Sequence, residues 1–186
     1  MCCPTEGGWV ARHNALRDAL QALVAARTGD TPAREVLVPA WRKDGEEAVL
    51  DLALADTGEF IDVTVCHPCH RGSADNDGAA ARAAEERQRA RYPGGRLVPA
   101  ALETHGRAGE PLAAFLRRLH GGLSLAERAA GMADAWATLS ATLQRGNANL
   151  LAMAGRPPAV VRTSASGAGG AAETPRRRTG TRTGPY

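Results

Sequence analysis

Lysine is almost missing from this chain. Of its 23 basic residues Lys43 is the single lysine and the other 22 are arginine, so any chemistry that needs a primary amine has one candidate. Aromatic residues are scarce as well, at 4% of 186. Trp9, Trp41 and Trp136 are spread so widely that no stacking platform for bases is expected from them. No apolar run approaches the ~20 residues of a membrane-spanning helix. The first 14 residues also lack the apolar stretch of an export signal. A nuclear or cytoplasmic protein with no membrane partner is the expectation. Four cysteines without an export signal fit a reducing compartment and exclude a disulfide scaffold. No internal repeat is present, which leaves one domain as the default at this length.

What is present divides unevenly. The net charge of +3 conceals a C-terminal stretch, residues 155–186, that carries +5, and a remainder that carries −2. That stretch is rich in Pro, Gly, Ser, Thr and Arg and poor in large apolar side chains, so a disordered arginine-bearing tail is expected there. Residues 1–9 are expected to be a disordered end, and residues 10–154 the folded domain.

Within that domain, Val10, Leu16, Leu20, Leu23 and Val24 recur at helical spacing over residues 10–27, and Gly29-Asp30-Thr31-Pro32 stops the helix. Residues 35–39 read as a short strand and 41–46 as a polar turn. Residues 47–55 and 59–66 read as two strands joined through a two-residue turn at Thr57-Gly58, which would pair Leu52 with Val63. In that register Leu50, Leu52, Leu54, Ile61, Val63 and Val65 share one face, with Asp51, Ala53, Asp62 and Thr64 on the other. Residues 71–78 form a loop and 79–92 an alanine- and charge-rich helix. A fourth strand over 96–102 and a helix over 109–119 follow. A last helical stretch over 123–153 carries potential breaks at Gly131 and Gly146. The expected class is α/β (α+β), ordered helix, three strands, helix, strand, helix, with extra C-terminal helices.

Asp51 and Asp62 then become diagonal neighbours on one sheet face, with Cα atoms roughly 7–8 Å apart. Two carboxylates so placed can hold one hard divalent cation, Mg2+ or Mn2+, and leave positions for water and a phosphate oxygen. The same pair also fits an ordinary solvated strand face.

The motifs fall in a recognisable order: Arg12-His13-Asn14-Ala15-Leu16-Arg17-Asp18, Leu50-Asp51, Ile61-Asp62-Val63-Thr64-Val65 with His67-Pro68, Ala84-Glu85-Glu86 ahead of Tyr92, and Glu103-Thr104-His105-Gly106. This set resembles the restriction-endonuclease-like domain at the C-terminal end of site-specific non-LTR retrotransposon polyproteins, a branch of the PD-(D/E)XK nucleases. The resemblance spans residues 10–154 and implies a piece or diverged copy of a longer mobile-element polyprotein that binds DNA. It implies Asp51 as the first metal-binding aspartate and Asp62 as the second acid. Thr64 stands where the plain pattern has its lysine. In the retrotransposon branch that lysine moves to the following helix, where this chain reads Glu85-Glu86-Arg87-Gln88-Arg89-Ala90-Arg91-Tyr92. The catalytic candidates are thus Asp51, Asp62, Thr64, Glu85 and Gln88, and the DNA-contact candidates Arg12, His13, Arg87, Arg89 and Arg91. Arginine can supply charge and donors but is too basic to take a proton. Lys43 is the one amine within reach along the chain. A cleaving domain and a catalytically silent DNA-binding or assembly module, or a decayed relic, both remain open. By the same resemblance Cys2-Cys3-Pro4 stands where a Cys/His zinc motif would end.

Cys66-His67-Pro68-Cys69-His70 also fits the haem-attachment pattern, which leaves a haem or soft-metal protein as a minor reading. Two cysteines and two histidines within five residues strain a zinc tetrahedron.

Overall fold

The computed structural model describes residues 7–68 and 77–155, all within one unit, Met1–Arg156. The expectations for residues 1–6, for the loop and cysteine motif over 69–76 and for the tail from 156 fall outside the described residues. The fold is mixed α/β, a four-stranded mixed sheet with four α-helices. No described helix is long and apolar enough to cross a membrane.

Helix α1 (Gly8–Thr28) buries Leu16, Leu20 and Val24 as its spacing requires. Its first turn departs from expectation: Val10 is exposed, because α1 begins before it and the buried stripe runs through Arg12 instead. Gly29, in the left-handed region at φ 82, closes the helix by donating to the Ala25 carbonyl.

The sheet runs β1 (Ala33–Leu37), β2 (Val49–Ala53), β3 (Phe60–Cys66) and β4 (Leu97–Glu103), in spatial order β1-β2-β3-β4. The first two pairings are antiparallel and the third is parallel. The β2–β3 register differs from the expected one by two residues. Leu52 pairs with Ile61, not Val63, because the connection is a four-residue loop. Leu54 donates to Glu59, and Gly58, at φ 64, donates back to Leu54. A shift of two preserves the faces, so Leu52, Leu54, Ile61 and Val63 remain together in the core.

Leu50 does not stay with them. It packs with Ala48 and Tyr92, on the side of Phe60 and Leu97. The change falls where β1 kinks: Glu35, which the β1–β2 register sets across from Asp51, has φ 51, a conformation that costs a non-glycine residue about 1–3 kcal/mol. Pairing between β2 and β3 is confined to two residue pairs next to the loop. Asp51 therefore sits where the two strands diverge.

Helix α2 (Ala79–Arg91) covers one sheet face through Ala81 and Ala84 against Ala101. Helices α3 (Glu110–Leu119) and α4 (Leu125–Ala154) join α1 on the other, through Leu112, Phe115, Leu116, Leu139 and Leu143. Helix α4 is unbroken over 30 residues. Its glycines are sites of close approach, not breaks. A β-carbon at Gly146 would come within 2.5 Å of Arg12 Cγ, and one at Gly131 within 2.5 Å of the His120 ring.

Candidate functional site

Divergence of β2 from β3 exposes backbone groups between them, and Asp51 fills the gap. Its Oδ2 accepts a hydrogen bond from the Val63 amide at 2.6 Å, and its Oδ1 meets His13 Nε2 at 2.8 Å. The β2–β3 register, continued by one residue, sets Asp51 across from Asp62, not diagonal to it. From the opposite side α2 contributes Gln88. Its Nε2 donates to the Asp62 carboxylate at 2.7 Å, to the Asp62 carbonyl at 2.8 Å and to Thr64 Oγ1 at 2.8 Å. Four elements thus bring His13, Asp51, Asp62, Thr64 and Gln88 to one place.

The electrostatics follow from burial. Asp62 is pushed up to about 6, first because burial disfavours its charge and next because Asp51 is negative. The Gln88 hydrogen bond and His13 oppose the rise without cancelling it. His13 is raised above its ordinary value, chiefly by its hydrogen bond to Asp51. The pair therefore carries an excess of negative potential that a proton or a cation relieves.

Other candidates lie elsewhere. Glu85 is buried on α2, but its carboxylate points at Gly109 and away from the aspartates, and burial raises its pKa. It does not complete the acidic pair. Arg12 is buried against α4 and donates to Asn147 at 2.7 Å, so it serves helix packing in place of a phosphate. Arg87, Arg89 and Arg91 are exposed along α2, and Arg91 pairs with Glu46 at 2.9 Å. Lys43 does not swing toward the acids. Its Nζ donates to the Ala90 carbonyl at 2.8 Å, at the C-terminal end of α2. Glu103 ends β4 and accepts from the Ala81 amide, while Gly106, at φ 99, completes a turn. Cys66 is pushed up to about 11, mainly by burial, so without a metal it is a protonated thiol. Cys69 and His70 lie outside the described residues.

Among the described residues no group of three or more His, Cys, Asp or Glu side chains is placed to hold a metal ion. An all-protein cage is thus not formed. A Mg2+ ion that keeps several waters and takes one or two carboxylates needs less, and Asp51 with Asp62 meets that requirement. The Gln88 amide oxygen, buried and without a hydrogen-bond partner, adds an uncommitted acceptor beside them. The residues fit such an ion, provided that His13 yields its place on Asp51.

Sequence reasoning named these five residues without foreseeing how they connect. The His13–Asp51 contact depends on the packing of α1 against the diverging strands, and local sequence carries no signal for it. Comparison with protein-family models, with curated proteins and with solved structures finds no match.

Proposed function

We propose that this chain is a nuclease-fold domain that binds DNA and hydrolyses phosphodiester bonds with Mg2+ or Mn2+ at Asp51 and Asp62, akin to the retrotransposon endonuclease domains it resembles. The convergence of the two aspartates with Gln88 and Thr64 carries the reading. The element order, α1, β1–β3, α2 and β4, is consistent with the PD-(D/E)XK core.

When bound, the ion would stabilise charge on the phosphate and lower the pKa of a bound water. The chain's own residues supply the rest. The Val63 amide fixes the Asp51 carboxylate, and Gln88 fixes Asp62. The Gln88 amide orients but takes no proton, unlike the lysine whose place on α2 it takes by the resemblance. His13, displaced from Asp51 by the ion, has a ring nitrogen that can accept one. Arg87 and Arg89, exposed on α2, offer donors to phosphates on either side.

Plasmid nicking with Mg2+ or Mn2+ tests the reading. Wild-type protein nicks, and Asp62→Ala loses nicking while its melting temperature stays at or above that of wild type. Nicking unaffected by Asp62→Ala removes this site. A second reading, a silent DNA-binding or assembly module that works within a longer polyprotein, is favoured by one observation: the only lysine is tied to the Ala90 carbonyl and glutamine sits at the acids. Salt-sensitive DNA binding without any nicking selects it.

A further inference from the structure

Beside the acidic pair, the segment that carries the lone lysine builds a pocket. A single turn of 3-10 helix, Pro39–Trp41, presents Trp41, which meets Phe60 edge-on at 5.1 Å and lies tilted over Tyr92 at 6.4 Å. Gly94 makes this possible, because any β-carbon there would overlap the indole. Next, Lys43 and Glu46 close a tight turn with reciprocal backbone bonds of 3.1 and 2.8 Å, with Asp44 and Gly45 both at positive φ. Two contacts dock the turn on α2: Lys43 to the Ala90 carbonyl, and Arg91 to Glu46. The open pocket between them, about 320 Å3, is lined by Trp41, Lys43, Glu46, Glu47, Arg91 and Tyr92 among others. That volume lies within the range of small-ligand sites.

The lining defines the ligand. The half-buried indole of Trp41 offers aromatic surface, while Tyr92 is buried beneath it with Arg91 over its ring at 5.3 Å. Both cations already have partners, Glu46 being that of Arg91, and the carboxylates Asp44 and Glu47 repel phosphate while accepting from amino and imino groups. A neutral, planar group with a donor edge matches, which describes a nucleobase. Its location adds to this. Tyr92 follows Gln88 by four residues, so the pocket opens about one helical turn, ~5–6 Å, from the side chain that holds Asp62.

We infer that this pocket receives one unstacked nucleobase from the strand whose phosphate lies at Asp51 and Asp62. The inference rests on the nuclease reading above, and it concerns Trp41 alone, apart from the expectation that the three scattered tryptophans form no shared stacking platform. The partners of Trp41 are Tyr92 and Phe60, not the other tryptophans.

The test uses the full chain in EDTA, so that binding is read without cleavage. A single-stranded trinucleotide binds about tenfold more tightly than its abasic counterpart, as stacking of one base requires. Trp41→Leu brings the two affinities within about twofold of each other at unchanged binding of the abasic strand. Should that variant fail to fold, the indole N–H resonance of Trp41 in the wild-type protein gives the answer, moving with the base-bearing trinucleotide and not with the abasic one. Equal affinity for the two strands, or an unmoved Trp41 resonance, overturns the pocket. Nicking of plasmid by the same preparation, lost in Asp62→Ala, then still supports the nuclease reading by itself.

Discussion

Asp62 is a carboxylate that the fold holds against its own ionisation, and this has a measurable sign. Its pKa rises from 3.8 in the unfolded chain to about 6 in the folded one. Between those values the folded state binds more protons, so stability falls as pH rises through the window and the cost is complete above about pH 6. About two pKa units correspond to about 3 kcal/mol. Asp62→Asn keeps an oxygen for Gln88 and removes the charge. It is expected to raise the melting temperature at pH 8 by on the order of 5–10 °C, an advantage that vanishes toward pH 4. Thermal unfolding followed by circular dichroism checks this, and a destabilised Asp62→Asn at pH 8 contradicts it. His13 works in the same direction: its raised pKa contributes stability below 6.5 that is lost as pH climbs through the folded value. Gln88 gives a sharper experiment. Gln88→Lys puts an ammonium between Asp62 and Thr64, and the Asp62 pKa is expected to fall back toward 4. Carboxyl-carbon NMR titration reads this directly, and a value still near 6 shows that the new amine does not reach the acid.

Elements in this chain were legible to different degrees. The α1 stripe and the alternation through Ile61, Val63 and Leu52 gave helix and strands because each pattern has its own period and one buried face. Pairing by two residues off the expected register was invisible, since either register buries the same side chains and only the loop's hydrogen bonds choose. Leu50 was misassigned because alternation presumes a flat strand, and β1 kinks at Glu35. The site residues Asp51, Asp62 and Gln88 were named from sequence, whereas Glu85 looked equivalent to them until helix packing turned it toward Gly109. Gly131 and Gly146 looked like helix breaks because a glycine's usual effect is entropic. Here they admit neighbours. Gly146→Ala should therefore reverse the ordinary gain of about 1 kcal/mol in a helix interior. The new methyl meets the root of the Arg12 side chain, which its bond to Asn147 holds in place, so a loss of about 1–3 kcal/mol is expected in urea unfolding. A stabilised Gly146→Ala would mean that Arg12 moves aside freely.

At the scale of the whole molecule, charge is separated from chemistry. The acids that define the site belong to a stretch, residues 1–154, with a net charge of −2, which by itself gives no net attraction to DNA. Residues 155–186 bear six arginines and one glutamate. All side chains of the described core lie before them, in α1 through α4. If arginines in both regions meet phosphates, truncation after Gly155 must separate two contributions that behave differently. Removing six cationic contacts lowers the slope of log affinity against log salt by up to about 5, at about 0.9 per phosphate contact. The melting temperature of the remaining domain is expected to stay unchanged, because no described core contact is lost. Duplex binding by fluorescence anisotropy between 50 and 200 mM salt measures both affinity and slope. A truncated chain that binds as tightly and as salt-dependently as the full one would place the whole electrostatic footprint on the arginines of residues 1–154. A truncated chain that still binds the trinucleotide but no longer the duplex would assign the tail to holding the helix and the folded domain to reading one displaced strand.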